Sequence, residues 1–447
     1  MNLFTIILAA GQGTRMNSTL PKVLHPLNGK PLLQYSIRLA EAVASKRTVL
    51  VIGNGADQVR LNAGDKVEYA IQPQRLGTAN AVMAAGSLLA NETGLMLVIS
   101  ADMPLLTGET LARLVQTQAE SDGPMTLLTV HSDNSRGFGR VLRRADGTVS
   151  EIVEEAQASD EQLRIDELNV GAYCFSSPWL WQALQKIKLS PKGEYYLTDI
   201  VAVAVSEGKP VTAVTVEDED ETMGINNRIH LADAERVIRR RINTAHMLAG
   251  VTMTDPDLVY IEDGVKIGRD TELLPNTRLL GTTVIGEGCV IGPDTIISDS
   301  QVGSHCHLLA SVIEGAVVED EVGMGPFCHL RKGAHLGRGV HMGNFGEVKD
   351  SHLLPGVKMG HFSYIGNATI GENVNIGAGT ITCNYDGEHK HPTEIGENTF
   401  IGSDTMLVAP LKIGKNAKTA AGAVVTHDVA DNEVVAGVPA RPMKKKE

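Results

Sequence analysis

The second half of this chain repeats with a period of six. Ile267, Leu273, Leu279, Ile285, Ile291 and Ile297 are six apart; Leu336, Met342 and Val348 keep the step, as do Met359 with Ile365, and Ile395, Ile401, Leu407 and Ile413. An α-helix, at about 3.6 residues per turn, cannot hold such a stripe on one face. Strands can, because their side chains alternate with a period of two. Each hexad is expected to supply one short strand and one turn. The aliphatic residue faces inward, and the glycine that often follows it (Ile285-Gly286, Ile291-Gly292, Ile401-Gly402) eases the corner. Stacked coils of this kind make a parallel β-helix, and most of the 46 glycines do lie after residue 250. The register breaks after Ile376-Gly377, where residues 378–387 and 388–393 intervene before Ile395. That insertion is expected to leave one corner as a loop on a binding face.

The first half has a different rhythm. Apolar runs at 4–8, 48–52, 67–71, 95–99 and 125–130 alternate with helical stretches at 33–44, 79–89 and 111–120, which indicates a mostly parallel α/β sheet. Residues 229–249 read as one amphipathic helix with Gly250 as its cap. The expected organisation is therefore a first domain at 1–228, a helical linker at 229–249 and a repeat domain at 250–447. Arg239-Arg240-Arg241 on the linker reads as a solvated face or a tether.

Charge and cysteine content narrow the partners. A net charge of −13 argues against a nucleic-acid coat or an anionic-membrane binder. No apolar run approaches the roughly 18 residues of a membrane span. The apolar stretch 1–10 lacks a basic start and reads as a first strand, not a signal peptide. Five cysteines (174, 289, 306, 328, 383) show no paired spacing, so neither a disulfide framework nor a zinc ribbon is expected and a reducing cytoplasm fits.

The first strand ends in Leu8-Ala9-Ala10-Gly11-Gln12-Gly13-Thr14-Arg15-Met16, with Pro21-Lys22 beyond. A glycine-rich turn after a strand lets backbone N–H groups approach a phosphate. It is neither a Walker A loop nor the dinucleotide fingerprint, since Met16 stands where the third glycine belongs. Arg15 and Lys22 place two cations beside the loop, which suits a triphosphate whose charge grows on a leaving pyrophosphate. A simple tight turn is the plain alternative.

This loop resembles that of the sugar-nucleotide pyrophosphorylases, as do Leu76-Gly77-Thr78-Ala79, Ser100-Ala101-Asp102-Met103-Pro104, Gly193-Glu194-Tyr195-Tyr196-Leu197-Thr198-Asp199 and Gly224-Ile225-Asn226-Asn227-Arg228. With the hexapeptide half and the Cys383-Asn384-Tyr385-Asp386 loop, nearly the whole chain resembles the bacterial bifunctional N-acetylglucosamine-1-phosphate uridyltransferase/glucosamine-1-phosphate acetyltransferase family. The resemblance implies a Rossmann-like nucleotidyltransferase domain followed by an all-β left-handed parallel β-helix, assembled as a cytoplasmic homotrimer. It implies acetylation of glucosamine 1-phosphate from acetyl-CoA, then uridylyl transfer from UTP to N-acetylglucosamine 1-phosphate, supplying peptidoglycan and lipopolysaccharide synthesis. The alternative is a monofunctional sugar-1-phosphate nucleotidyltransferase whose β-helix only assembles the oligomer.

Residue by residue, the resemblance assigns Mg²⁺ to Asp102 and Asn226, although a lone Asp after a strand also serves as a helix cap. It assigns nucleotide contacts to Leu8, Ala9, Ala10, Gly11, Lys22, Gln72, Gly77 and Thr78. Ser100 and Ala101 adjoin them, and Gly139, Glu154 and Asn169 match its sugar contacts. Arg15 and Lys22 would neutralise charge on the transferring phosphate. In the second domain His361 matches the base that deprotonates the attacking amine. Arg331 and Lys349 match the holders of the sugar phosphate, and Tyr364 and Asn375 further sugar contacts. Ala378, Asn384, Tyr385, Ser403 and Ala421 match the acetyl-CoA contacts.

Some residues depart from the pattern or stand outside it. Ala101 stands where the family usually has Gly, and its methyl group either crowds a sugar hydroxyl or is harmless. Near the C-terminus, Gly437-Val438-Pro439-Ala440-Arg441 lacks an arginine before Val-Pro, and Arg441 is the candidate to serve the CoA phosphates. Lys444, Lys445 and Lys446 read as a solvated tail. His329, His335 and His341, six apart, are expected to stack up one face as a row of rim imidazoles, with a metal ladder the rival reading. Cys383 reads as a packing thiol, since nothing beside it in sequence supplies a base.

Overall fold

The computed structural model describes residues 2–443, so Lys444, Lys445 and Lys446 lie outside the described residues. The chain divides into two compact units, Met1–Ile238 and Arg239–Glu447. The division falls inside the helix Arg228–Leu248. On the second unit's part of that helix, Arg239 stacks over the Tyr260 ring at 4.8 Å. No helix among the described residues is long and apolar enough to cross a membrane.

The first unit is built on one sheet. Its main strands are β1 (Leu3–Leu8), β2 (Arg47–Ile52), β3 (Glu68–Ile71), β4 (Leu95–Ser100), β5 (Met125–His131), β6 (Glu167–Ser176) and β7 (Val211–Thr215). They lie in the order β7-β5-β6-β4-β1-β2-β3. All pair in parallel except β6, which runs antiparallel between β4 and β5. The central strands are largely apolar because both faces are covered. Ile7, Leu50, Leu97 and Ile99 enter one core, while Ile6, Val49, Val51 and Val98 enter the other. Each such side chain contributes about 1.5–3 kcal/mol when fully buried.

The expected helices form with shifted ends: Leu32–Ala42, Thr78–Ala84 followed by the single turn Gly86–Leu89, and Gly108–Glu120. The last begins behind Thr107, whose hydroxyl accepts from the Thr110 amide, an N-cap that satisfies a free donor.

The second unit is a solenoid of three sheets with 12, 10 and 9 strands, each mostly two or three residues long and nearly all parallel to their neighbours. It is a left-handed parallel β-helix. Each coil visits all three sheets, so consecutive hexads lie on consecutive faces and the stacking neighbour is one full coil away. Thus Leu279, Ile297, Ile313, Leu330, Val348 and Ile365 follow one another in register on the ten-stranded sheet. The interior is filled by these aliphatic residues, with Cys289, Cys306 and Cys328 among them.

Two expectations change here. The glycines that follow the aliphatic positions do not all turn corners. Gly292 does, at φ 102°, but Gly286 and Gly402 lie outside the left-handed region. A Cβ on Gly286 would stand 2.6 Å from the Gly303 carbonyl, and one on Gly402 2.6 Å from that of Thr419, so these positions let coils stack closely. Many corners are turned instead by Asn and Asp in the left-handed region, such as Asn276, Asp294 and Asn398.

The histidine row also fails to form. His329, His335 and His341 lie on the ten-, nine- and twelve-stranded sheets respectively, because six residues advance the chain by one face and not by one coil. The neighbour of His335 is His352, one coil on, with ring centroids 4.1 Å apart and planes at 10°.

The insertion leaves the solenoid after the strand Ile381–Cys383 and returns at Thr393–Ile395. Tyr385 and Lys390 bridge across it. Asp386 holds its shape, accepting from the Glu388 and His389 amides at 2.8 and 2.7 Å and from the His391 ring at 2.6 Å. Those bonds hold the Asp386 carboxyl well below the usual carboxylate range.

Two candidate active sites

In the first unit a cavity of about 650 Å³ opens beyond the carboxyl ends of β1 and β4, where parallel sheets characteristically bind ligands. Leu8, Ala9, Ala10, Gly11, Lys22, Gln72, Gly77, Thr78, Ser100, Asp102 and Glu154 line it. An adjoining cavity of about 210 Å³ shares Asp102 and Glu154 and adds Gly139, Asn169 and Asn226.

Two glycines make the walls possible. Gly13 turns with φ 63°, and a Cβ there would lie 2.6 Å from the Lys22 side chain. Gly77 turns with φ 97°, and a Cβ would lie 2.5 Å from the Tyr195 carbonyl. The loops can pack this closely only without side chains.

Polar groups converge at the junction of the two cavities. The Lys22 ammonium donates to Asp102 Oδ2 in a short ion pair and to Asn226 Oδ1 at 3.2 Å. Arg15 donates to the same Asn226 oxygen at 3.1 Å. Ser100 Oγ donates to Asp102 Oδ1 at 2.6 Å, and the Ile225 amide donates to the Asp102 carbonyl at 2.8 Å, which ties the segment carrying Asn226 to the end of β4. Burial pushes the Asp102 carboxyl up, but the Lys22 charge and the hydrogen bonds from Lys22 and Ser100 outweigh it and hold the group below its ordinary value. Asp102 and Asn226 thus aim oxygen atoms at a point already held by a cation. Glu154 differs: burial raises its carboxyl, although Thr198 Oγ1 donates to it at 2.8 Å. Asn169 Nδ2 donates to the Tyr173 hydroxyl at 2.8 Å, beside a register shift in β6.

Ala101 and Arg15 do not line either cavity. Ala101 is wholly buried in the core on one face of the sheet, so its methyl group points away from the ligand space. Arg15 reaches the site only through Asn226. Gln12, Arg75, Glu194 and Tyr196 line the larger cavity and were missed. Arg75 was findable, as a cation two residues before the Gly77-Thr78 turn.

In the second unit four candidates lie along one edge, the corner between the twelve- and ten-stranded sheets. Backbone bonds run up it from coil to coil: Gly379 N to His361 O (2.8 Å), Asp404 N to Ala378 O (2.7 Å) and Gly422 N to Ser403 O (2.8 Å). His361, Ala378, Ser403 and Ala421 therefore occupy one corner of successive coils. The exposed His361 ring meets Asn344 Oδ1 through Nδ1 in a short hydrogen bond. Asn375 lies on the twelve-stranded sheet beside this edge.

Arg331, Lys349 and Tyr364 lie on or beside the ten-stranded sheet. Arg331 follows Leu330, which pairs with Val348, and so stands one coil from Lys349. Arg331 also pairs with Glu347 at 3.0 Å. Lys390, from the insertion, stands beside Lys349, and that ammonium followed by Arg331 lowers the Lys349 pKa. Lys390 was missed; a lone lysine in a loop carries no spacing signal. Asn384 is buried and donates to Asn367 Oδ1 at 2.7 Å, while Tyr385 is exposed on the loop. Arg441 is exposed on a short strand antiparallel to Val434–Ala436, at the end of the twelve-stranded sheet. Burial raises the Cys383 thiol, the opposite of an activated nucleophile.

The same edge carries an exposed aromatic stack. Phe327, Phe345 and Phe362 sit on successive coils with centroids 5.3 and 5.1 Å apart, and they are 61%, 47% and 63% exposed.

Comparison with known proteins agrees with both units. The MobA-like NTP transferase domain family matches residues 5–197, and the bacterial transferase hexapeptide family (six repeats) matches residues 392–427. The "Bifunctional protein GlmU" of Exiguobacterium sibiricum is 46% identical over 433 residues, covering 97% of this chain and 96% of that protein. Proteins of the same name from Streptococcus agalactiae (44% identical, 98% and 95% covered) and Enterococcus faecalis (44% identical, 92% and 90% covered) are similarly related. Identity at this level over nearly the whole of both chains, on a nucleotidyltransferase unit joined to a hexapeptide solenoid, places the chain in the family of bifunctional GlmU proteins.

Proposed function

We propose that this chain makes UDP-N-acetylglucosamine in two steps at two separate sites. The second unit acetylates glucosamine 1-phosphate from acetyl-CoA. The first transfers uridylyl from UTP to the resulting N-acetylglucosamine 1-phosphate. Residues 1–228 carry the uridylyl site, 229–249 link, and 250–447 carry the acetyl site. The observation that carries the reading is the junction of Asp102, Asn226, Lys22 and Arg15 at the mouth of a nucleotide-sized cavity, on a chain that also holds the His361 edge.

For uridylyl transfer, the glycine loop receives the triphosphate and Gly139, Glu154 and Asn169 receive the sugar. An oxygen of the sugar phosphate attacks the α-phosphorus, a new P–O bond forms, and the bond to pyrophosphate breaks with its electrons leaving on the pyrophosphate. No nucleophilic side chain is needed. The Asp102 and Asn226 oxygens fit Mg²⁺, a hard ion bound through few protein oxygens, since Lys22 already satisfies them as a cation. Mg²⁺ supplies charge neutralisation at the phosphates. Lys22 leaves Asp102 for the phosphate oxygens, and Arg15 adds a second cation there.

For acetyl transfer, the amine must shed a proton before it attacks the thioester. With Asn344 Oδ1 accepting from Nδ1–H, His361 keeps its Nε2 lone pair free as the base. The amine nitrogen bonds to the acetyl carbon and CoA leaves as the thiol. Arg331, Lys349 and Lys390 hold the sugar phosphate, with Tyr364 and Asn375 positioning the ring. Ala378, Asn384, Tyr385, Ser403, Ala421 and Arg441 line the acetyl-CoA path. These groups lie on two faces that meet at one edge, so a neighbouring solenoid is needed to close the site. The exposed phenylalanine stack fits that contact, and a cytoplasmic homotrimer is the assembly we propose.

The test is to assay free thiol release and pyrophosphate release on the same samples of wild type and His361→Ala. Loss of the first with survival of the second is expected. Uridylyl transfer without acetylation in the wild type would reduce the solenoid to a scaffold.

A further inference from the structure

Away from both sites, three successive coils bring Glu319, His335 and His352 together along the nine-stranded sheet. Glu319 follows the strand Val317–Val318, which pairs with His335–Leu336, which in turn pairs with His352–Leu353. One ligand atom from each residue lies within 4.8 Å of the others, the one such group of three found among the described residues. The carboxylate is held from two sides: Glu319 Oε1 meets His335 Nε2 at 2.8 Å, and Oε2 accepts from the Arg338 amide at 2.9 Å. The two rings lie nearly parallel at 4.1 Å. A cleft of about 420 Å³ adjoins them, lined also by Asp350, Asn367 and Thr369.

We propose that Glu319, His335 and His352 bind one divalent transition ion of the zinc class, with an open coordination position toward the cleft. Two imidazoles and one carboxylate are a donor set that suits Zn²⁺. They do not suit Mg²⁺, which prefers oxygens such as those of Asp102 and Asn226. Donors about 2.0–2.2 Å from a tetrahedral ion stand about 3.4 Å apart. Glu319 Oε1 and His335 Nε2, now 2.8 Å apart, must therefore open slightly while His352 closes in, which rotation of three partly exposed side chains allows. The ion takes the place of the hydrogen between His335 Nε2 and Glu319, with the neutral imidazole carrying its proton on Nδ1. The Arg338 amide remains on the second carboxylate oxygen and fixes its orientation, as outer partners of metal ligands do. Each donor comes from a different coil, so the ion clamps three coils together.

The site is independent of both proposed activities, and its test uses the full chain. Metal is stripped with a chelator, the chelator is removed, and ZnCl₂ is titrated against a chromophoric competitor with Mg²⁺ in excess. We expect one zinc per chain and a zinc-dependent rise in unfolding temperature. His352→Ala and His335→Gln should each weaken binding at least about a hundredfold, more than loss of an outer partner does. His329→Ala, on another sheet against Glu314, should change nothing. Unfolding of the zinc-free variants at the wild-type temperature shows that they fold. Co²⁺ added to the wild type should give the visible bands of a four-coordinate nitrogen–oxygen site. Zinc bound equally by wild type and both variants, or no zinc and no Co²⁺ bands in the wild type, overturns the proposal.

Discussion

The two units solve the problem of holding a phosphorylated sugar in opposite ways. The mostly parallel sheet of the first unit ends its parallel strands, including β1 and β4, on one side, and the loops leaving them curl into a cavity that one chain encloses. The solenoid packs its aliphatic residues inside and offers mostly faces and edges outside. Its candidate residues, from His361 to Ala421, are strung along an edge. A sheet with crossover helices makes a pocket by itself; a coil of hexads makes a ladder, and a ladder needs something beside it to become a site.

That contrast can be broken experimentally. The largest effect is expected from His361→Ala: acetyl transfer should fall by about 10²–10⁴-fold, the usual contribution of a general base, while pyrophosphate release stays at the wild-type rate. Asp102→Asn should do the reverse, lowering uridylyl transfer by about 10²–10³-fold through weaker charge stabilisation and leaving thiol release intact. Should either substitution damage both reactions, the units are not independent.

A smaller effect sharpens the difference between pocket and edge. Phe345→Asp puts a charge into the exposed aromatic stack and is expected to remove about 2 kcal/mol or more of association free energy. Sedimentation should then show smaller species, with acetyl transfer lost and uridylyl transfer kept. Unchanged assembly would show that the stack is not the contact, and smaller species that still acetylate would show that the edge works without a neighbour.

Stability should divide the same way. Gly286→Ala forces a Cβ to within 2.6 Å of the next coil. It should cost about 1–3 kcal/mol, as overpacking does, read as a lower unfolding temperature for the solenoid transition alone. The smallest effect concerns acid. Because Asp102 has a depressed folded pKa, its stabilisation is present above the ordinary carboxylate value and is lost as the pH falls through the folded value. In Lys22→Met burial is opposed only by the hydrogen bonds that remain, such as that from Ser100, so the carboxyl should rise from its depressed value and the acid-induced loss of stability should shrink. Thermal unfolding of the two proteins from neutral to acidic pH measures it.

Much of the fold was legible along the chain because it rests on periodicity. The step of six between Ile267 and Ile297 reports an inward-facing position on each face, and the runs at 4–8 and 95–99 report strands covered on both sides. The antiparallel strand β6 was not legible, since Asn169 and Gly171 interrupt its apolar run. Of the first candidate site, the residues themselves pointed only to the loop after β1, with Gly11, Arg15 and Lys22; the rest, such as Gln72, Gly139, Asn169 and Asn226, came from the family resemblance. Lys390 was not legible, because a single cation in a loop has no pattern until the loop is folded.

What the sequence determined by itself was therefore the class of each half and the chemistry of its loops, since hydrophobic spacing and glycine placement act locally. Tertiary structure alone decided which residues stack. The step of six suggested that His335 would meet His329 and His341, but three faces make one coil, and its neighbours are Glu319 and His352. Likewise Gly286 reads as a corner residue and proves to be a close contact between coils, and of the two readings left open for the Ala101 methyl group, crowding or harmless, its place in the core favours the second. Distances between coils and between layers depend on how the whole chain closes, and no local pattern carries that information.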